Sequence, residues 1–95
     1  MITGKQRAYL KGLAQTKKAS LQFGKNGLTE TFISQVETNL KSEELVKINV
    51  LKSAMIDSRE LYAELEERIE GLEFVQAIGN KLTIYKKAKK PRIII

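Results

Sequence analysis

The segment SLQFGKNGLTE, residues 20–30, joins a strand-like run to the start of a helix. Its first residues alternate in polarity as a short strand does, and Thr29 is a typical helix N-cap. Gly24 and Gly27 therefore lie in a strand-to-helix turn, where glycine permits positive φ and leaves the backbone uncovered. Unpaired N–H groups at the helix start and the charge of Lys25 suit this turn to binding phosphate, so a nucleic-acid backbone is its natural ligand. A plain connecting turn is the alternative for so short a motif.

Charge is segregated along the chain. Residues 1–27 contain six Lys or Arg and no acid, residues 28–72 contain five basic and ten acidic side chains, and residues 73–95 contain six basic and one acidic. Scattered charges would suffice for solubility, whereas segregated charges produce a field that draws a polyanion to one side of the molecule. The charge pattern therefore favours nucleic-acid binding over a plain turn.

Composition narrows the class of protein. A chain of 95 residues that is 42% hydrophobic forms one domain with a modest core. It contains neither Cys nor His, which excludes disulfides, zinc knuckles, thiol nucleophiles and the commonest general base. The remaining Ser, Thr, Asp and Glu residues form no recognisable catalytic or metal-binding set, so we expect no enzyme, cofactor, metal or small-molecule substrate. No run resembles a signal peptide or a membrane span, and we expect a cytoplasmic protein with no membrane partner.

Hydrophobic periodicity predicts seven elements. They are a helix over 4–16 capped by Thr3, strand 20–23, helix 30–41, strand 45–51, a helix from the capping box at Asp57 to Gly71, and strands 74–78 and 82–85 around a Gly79-Asn80 turn. This order, α-β-α-β-α-β-β, predicts a single small α/β domain. We expect a mixed sheet of about four strands, with strand 45–51 central and helices packed against it. The domain spans residues 1–87, and residues 88–95 form a basic tail whose Ile93–Ile95 either joins a sheet edge or stays loose.

Four stretches together resemble the CRM domain, named for chloroplast RNA splicing and ribosome maturation. They are TGKQRAYL (3–10), QFGKNGLT (22–29), ELVKINVL (44–51) and VQAIGNKLTIY (75–85), and the likeness is closest to the free-standing, YhbY-like bacterial proteins. The resemblance implies an RNA-binding α/β domain similar to the C-terminal domain of translation initiation factor three. It also implies a partner, since bacterial members associate with precursors of the large ribosomal subunit and plant relatives bind intron RNA. Where many members have arginine in the final hairpin, this chain has Asn80 and Lys86, so less directional contacts are expected there.

The candidate RNA-binding residues come from three parts of the chain. They are Gly24, Lys25, Asn26 and Gly27 in the loop, Arg7, Lys11, Lys17 and Lys18 on and after the first helix, and Lys81, Lys86 and Lys87 near the last strand. We expect backbone N–H groups of the loop to hold phosphates, with the lysines and arginine extending the contact if the sheet brings both ends of the chain together. The resulting hypothesis is a ribosome assembly factor that binds large-subunit ribosomal RNA, or its precursor particle, largely by shape.

The sequence is also compatible with other functions. A general polyanion binder or protein-interaction module would use the basic ends without a specific RNA target, and its binding would survive loss of the two glycines. A DNA binder is disfavoured because Glu30, at the start of the helix after the loop, is poorly placed for a groove. The acidic third helix is interpreted as a solvated face, with docking of a basic ribosomal protein as the alternative.

Overall fold

The computed structural model describes residues 2–89, 91 and 93. The helices are α1 (Gly4–Ala14), α2 (Glu30–Glu43) and α3 (Ser58–Arg68), and the strands are β1 (Leu21–Phe23), β2 (Leu45–Val50), β3 (Glu73–Ile78) and β4 (Lys81–Tyr85). The predicted α/β class and element order are confirmed, with a short 3-10 helix, Lys52–Ala54, added before α3. Three helix ends differ from expectation by two residues or more: α1 ends at Ala14 and not at residue 16, α2 continues to Glu43, and α3 ends at Arg68 with Ile69 as its C-cap.

The four strands form one mixed sheet in the order β1-β2-β4-β3. β1 and β2 are parallel and joined through α2, while β4 pairs antiparallel with both β2 and β3. β2 is therefore internal, as its alternating pattern predicts, and β4 is inserted between β2 and β3 although it follows β3 in the chain. Because β4 pairs with β2, its first residue, Lys81, lies beside the C-terminal end of β2, and its last residue, Tyr85, lies beside the N-terminal end of β2.

The larger core lies between the sheet and the helices α2 and α3. Val46, Ile48 and Val50 point from β2 into this layer, because every second strand residue faces the same side. The other buried members include Phe32, Ile33, Val36 and Leu40 of α2, Leu61 and Leu65 of α3, and Leu82 and Ile84 of β4. Both helices start at side-chain caps, with Thr29 Oγ1 accepting from the Phe32 N–H and Asp57 Oδ1 from the Glu60 N–H. This layer anchors the end of the glycine loop.

The smaller core lies on the other face of the sheet, under α1. It contains Ile2, Leu10, Ala14, Leu45, Val75 and Tyr85. A Thr3–Gln6 capping box starts α1, and Lys47 of β2 holds its C-terminal end by donating from Nζ to the carbonyl oxygens of Ala14 and Lys17 at 3.2 and 3.3 Å. A lysine ammonium there satisfies carbonyls that lack helical partners. α1 is thus fastened over one part of the sheet, and the rest of that face carries polar side chains.

Glu44, between α2 and β2, is fully buried and has a φ of 63°. Its carboxylate accepts the N–H groups of Ala88 and Ile93 at 3.2 and 2.9 Å, and its carbonyl oxygen accepts the Lys86 N–H at 3.0 Å. Ile93 also packs against the smaller core. The described part of the basic tail therefore contacts the domain, while Ile94 and Ile95 lie outside the described residues.

Candidate nucleic-acid interface

The glycine loop is a closed turn at the C-terminal end of β1. The Gly27 N–H donates to the Gly24 carbonyl oxygen at 3.1 Å, and Gly27 has a φ of 72°, which an L side chain would strain. A Cβ at Gly24 would lie 3.3 Å from Leu51 Cδ1, so this glycine lets the segment after β2 approach the loop. Lys25 and Asn26 are exposed at the tip of the turn.

The loop presents free backbone donors. Within residues 2–89, no hydrogen bond engages the N–H groups of Lys25, Asn26 or Leu28. The positive end of the α2 dipole lies directly after them, because α2 begins at Glu30. A cleft of about 430 Å³ beside the loop extends from Gln22 along the first turns of α2. The arrangement can bind an anionic oxygen through several N–H groups at once.

Glu30 is the one acidic side chain in the first turn of α2. Arg68 of α3 lies 3.3 Å from its carboxylate, in an ion pair whose side chains are 48% and 88% exposed, respectively. Such an exposed pair contributes little to stability. In this arrangement the Glu30 carboxylate is turned towards Arg68 of α3.

A row of three polar residues, followed by the exposed Ile78, crosses the sheet beside the loop. Gln22, Asn49, Lys81 and Ile78 are successive register partners across β1, β2, β4 and β3. Gln22, Asn49 and Lys81 alternate with larger-core residues, so they point to the α1 face of the sheet. Asn49 Oδ1 accepts from Asn80 Nδ2 at 2.8 Å and from Lys81 Nζ at 3.0 Å. Lys81 is thereby placed at the same end of the sheet as the glycine loop.

Sequence reasoning did not propose Asn49 as a binding residue, and it considered Asn80 as part of a hairpin turn and as a departure from a family pattern. The alternation of residues 45–51 does put Asn49 on the face away from Val46, Ile48 and Val50. Its contact with Asn80 spans 31 residues and depends on the register between β2 and β4. Only the pairing of the strands brings the two amides together.

Arg7 and Lys11 lie along the other edge of the sheet. Together with Arg59 of α3 they line a groove of about 380 Å³ beside β3. The Arg7 Nε donates to the Phe74 carbonyl oxygen at 3.1 Å, and the Arg59 guanidinium carbon lies 5.2 Å from the centroid of the Phe74 ring. Arg7 is partly occupied by this structural contact. Arg59 is a further cation at this edge of the sheet. Sequence reasoning did not propose it, because it lies in an acidic helix.

The remaining predicted lysines fall into two places. Lys17 and Lys18 follow α1 in the connector to β1, where the Lys17 carbonyl is tied to Lys47. Lys86 and Lys87 follow β4 at the opposite end of the sheet from the loop, because Tyr85 pairs with Leu45 whereas Lys81 pairs with Asn49. There they line a groove of about 640 Å³ with Lys41 and Lys89. The structure brings Lys81 to the loop end but not Lys86 and Lys87, which lie roughly a strand length away.

The basic helix α1 and the acidic helices α2 and α3 lie on opposite faces of the sheet. Residues 28–72, which hold ten of the 11 acidic residues, include both helices of the larger core. The basic residues before Gly27 belong to α1, its connector and the loop. The α1 face is therefore the more positive face. Among the described residues, no group of three or more acids could hold a metal ion, and no helix has the length and apolar character needed to cross a bilayer.

Comparison with known proteins identifies the family. The CRS1 / YhbY (CRM) domain model matches residues 2–86. A Bacillus subtilis protein named as the probable RNA-binding protein YqeI is 33% identical over 94 residues, covering 99% of this chain and 97% of the relative. A Haemophilus influenzae protein named as an RNA-binding protein is 32% identical over 92 residues, covering 97% and 92%. Neither name describes an enzyme.

The fold agrees with a solved structure of similar sequence. The solution structure of SAV1595 from Staphylococcus aureus superposes with a TM-score of 0.74 at 35% identity, covering 95% of this chain and 93% of that one. The resemblance predicted from the loop, α1, β2 and the final hairpin is thereby confirmed. The chain belongs to the CRS1/YhbY (CRM) domain family.

Proposed function

We propose that this protein binds RNA through the glycine loop and the basic α1 face, and that it acts in the assembly of the large ribosomal subunit. The observation that carries the proposal is the set of free N–H groups in a turn closed by Gly27, directly before the α2 N-terminus. Relatives at 32–33% identity are named as RNA-binding proteins. The ribosomal target rests on the resemblance to the YhbY-like proteins, and the cytoplasmic site of action remains the expectation drawn from the sequence.

The loop is the clamp in this proposal. Phosphate oxygens would accept hydrogen bonds from the loop N–H groups, with Lys25 paired to a neighbouring phosphate and Asn26 donating to the backbone or a base edge. Lys81 extends the positive surface from the same end of the sheet, and Arg7, Lys11, Lys17 and Lys18 extend it from the α1 side. Lys86 and Lys87 follow β4 at the opposite end of the sheet from the loop, so we assign them a distant and weaker contribution.

The candidate binding residues are suited to structured RNA better than to single-stranded RNA. Stacking platforms for single strands use exposed aromatic rings. Tyr9 is the one aromatic side chain among the described residues that exposes a large part of its surface, at 51%, and the chain has no Trp. Phosphate and ribose contacts along a folded RNA backbone need no rings. Affinity should accordingly fall steeply with salt concentration.

The test is binding to fragments of large-subunit ribosomal RNA and to matched duplex DNA across a salt series. Lys25→Glu and the double variant Gly24→Val/Gly27→Val are compared with the wild type after folding is verified by circular dichroism. Lys41→Glu, with the same charge change at the far end of α2, is the matched control. Its Cα lies roughly 20 Å from the loop, since each helical residue rises about 1.5 Å.

We expect folded loop variants to lose RNA binding by at least an order of magnitude, because each charge-assisted contact contributes about 1.5–3 kcal/mol. The Lys41→Glu control should retain most of the affinity and the preference for RNA. If the loop variants bind as well as the wild type and RNA and DNA compete equally, the protein is a diffuse polyanion binder and the proposal fails.

A further inference from the structure

The side chains of Asn49 and Asn80 are hydrogen-bonded to each other and leave one donor and one acceptor that the described part of the chain does not use. Lys81 Nζ can only donate, so its 3.0 Å contact identifies the Asn49 atom as Oδ1. Asn80 must then donate from Nδ2 to the same oxygen, at 2.8 Å. These two bonds leave Asn49 Nδ2 and Asn80 Oδ1 with no hydrogen-bond partner in the part of the chain that the structure describes.

The backbone that carries the two amides is anchored, and the exposed Asn80 side chain is oriented by its hydrogen bond to Asn49. The Asn80 carbonyl oxygen accepts the Val50 N–H at 2.7 Å, which fixes the hairpin turn against the end of β2. The Ser58 hydroxyl, which is itself buried, donates to the neighbouring Gly79 carbonyl at 3.1 Å. Asn49 lies within β2 and is paired on both sides. Groups held this way lose little conformational freedom on binding a ligand.

The pair is continuous with the glycine loop. Gln22 lines the cleft beside the loop and is the register partner of Asn49. Strands lie about 4.8 Å apart and rise about 3.3 Å per residue, which puts Asn49 roughly 8 Å from Gly24, two residues beyond its register partner Gln22. A nucleotide chain whose phosphate lies on the loop therefore passes within reach of the two amides.

The two unused atoms, the donor Asn49 Nδ2 and the acceptor Asn80 Oδ1, fit a ligand group that both donates and accepts a hydrogen bond. A phosphate oxygen only accepts, so it would leave Asn80 Oδ1 facing a negative charge. The ribose 2′-hydroxyl both donates and accepts, and it is the group that distinguishes RNA from DNA along the backbone. We propose that Asn49 and Asn80 bind a ribose 2′-hydroxyl next to the phosphate on the glycine loop, and so select RNA over DNA. This assignment rests on the proposed RNA-binding function.

The test scans an RNA hairpin from large-subunit ribosomal RNA with single 2′-deoxy substitutions, which remove one hydroxyl at a time. The proteins are the wild type, the double variant Asn49→Ala/Asn80→Ala and the control Asn39→Ala. All substitutions are uncharged, so the dependence on salt concentration should be the same for the three proteins. Asn39 lies on α2, where its amide donates to the Gln35 carbonyl.

We expect one or two 2′-deoxy positions each to weaken wild-type binding roughly three- to tenfold, the range for one net hydrogen bond. The double variant should bind the all-ribose hairpin more weakly by the same factor and be insensitive to deoxy substitution at those positions, while Asn39→Ala keeps the wild-type profile. If the double variant shows the wild-type deoxy profile, or if its loss follows base identity instead, the ribose assignment is overturned while RNA binding stands. If the wild type binds the hairpin no better than duplex DNA, the proposed function itself fails.

Discussion

The two faces of the sheet differ in what they contribute. The face under α2 and α3 is lined by apolar residues and carries 14 buried members of the larger core, whereas the α1 face has a smaller core of six buried residues bordered by Lys47, Asn49, Lys81 and Thr83. The acidic helices cover the first face and the basic helix covers the second. Stability is thus concentrated on one side of a sheet only four strands wide, which leaves the other side free to carry polar groups for a ligand.

Two fully buried leucines test this difference most strongly. Leu61 of α3 belongs to the larger core and Leu10 of α1 to the smaller one. We expect Leu61→Ala to lower the free energy of unfolding by about 3–5 kcal/mol, and Leu10→Ala by about 2–3 kcal/mol because the smaller core relaxes more easily into the cavity. Urea denaturation followed by circular dichroism measures both. Equal losses, or a larger loss for Leu10→Ala, would contradict the proposed division between the faces.

Each face of the sheet contains one tyrosine whose pKa is raised, so both cores contribute to the pH dependence of the free energy of unfolding. Burial raises the pKa of Tyr62, which packs against the larger core, and its hydrogen bond to Glu66 raises it further. Burial also raises the pKa of Tyr85 in the smaller core. The folded state therefore keeps these phenolic protons longer than the unfolded state does, so the free energy of unfolding should fall as pH rises above about 10.

Tyrosine to phenylalanine variants separate the two contributions. We expect Tyr62→Phe to flatten the loss of stability between about pH 9 and pH 11 more than Tyr85→Phe does, because the pKa of Tyr62 is raised by more causes. Tyr9→Phe, on the exposed side of α1, is the control for the other groups that titrate in this range. Urea denaturation at each pH is the measurement, and a decline as steep in Tyr62→Phe as in the wild type would refute the assignment.

The sequence predicted the elements well because each signal is local. The Thr29 cap, the capping box at Asp57 and the alternation of β2 all act within a few residues. The position of β4 between β2 and β3 is a long-range property, and it separates Lys81 from Lys86 and Lys87 although they are close in sequence. The burial of Glu44 escaped prediction for the same reason, since its partners Ala88 and Ile93 are distant in the chain.

A smaller effect is expected from Thr83, which points from β4 to the α1 face. Its Oγ1 is buried and has no hydrogen-bond partner in the described part of the chain. We expect Thr83→Val to raise the free energy of unfolding by about 1 kcal/mol, because it removes the desolvation cost of the hydroxyl. Thermal and urea unfolding measure the change, with Thr38→Val on the exposed surface of α2 as the control. A destabilised Thr83→Val protein would show that the hydroxyl is satisfied in solution.

The smallest effect is expected on the salt dependence of RNA binding, which compares Lys81 at the loop end of the sheet with Lys86 and Lys87 at the opposite end. Lys81→Gln should reduce the slope of log affinity against log salt concentration by about 1, as the loss of one phosphate contact does. The double variant Lys86→Gln/Lys87→Gln should reduce it by less, although it removes two charges, because those lysines lie at the opposite end from the loop. Fluorescence anisotropy with an RNA hairpin across a salt series gives both slopes. A larger reduction of the slope in the double variant would indicate that the RNA binds at the end of the sheet opposite the glycine loop.

The tie between Glu44 and the tail has a consequence for the timing of folding during synthesis. The donors at Ala88 and Ile93 are made 44 and 49 residues after the carboxylate that accepts them. At translation rates of 5–20 residues per second, this interval lasts about 2–10 seconds. Until then the carboxylate lacks these two donors, while β1, α2 and β2 are already available to pair. A nascent chain can therefore form its glycine loop well before the domain closes.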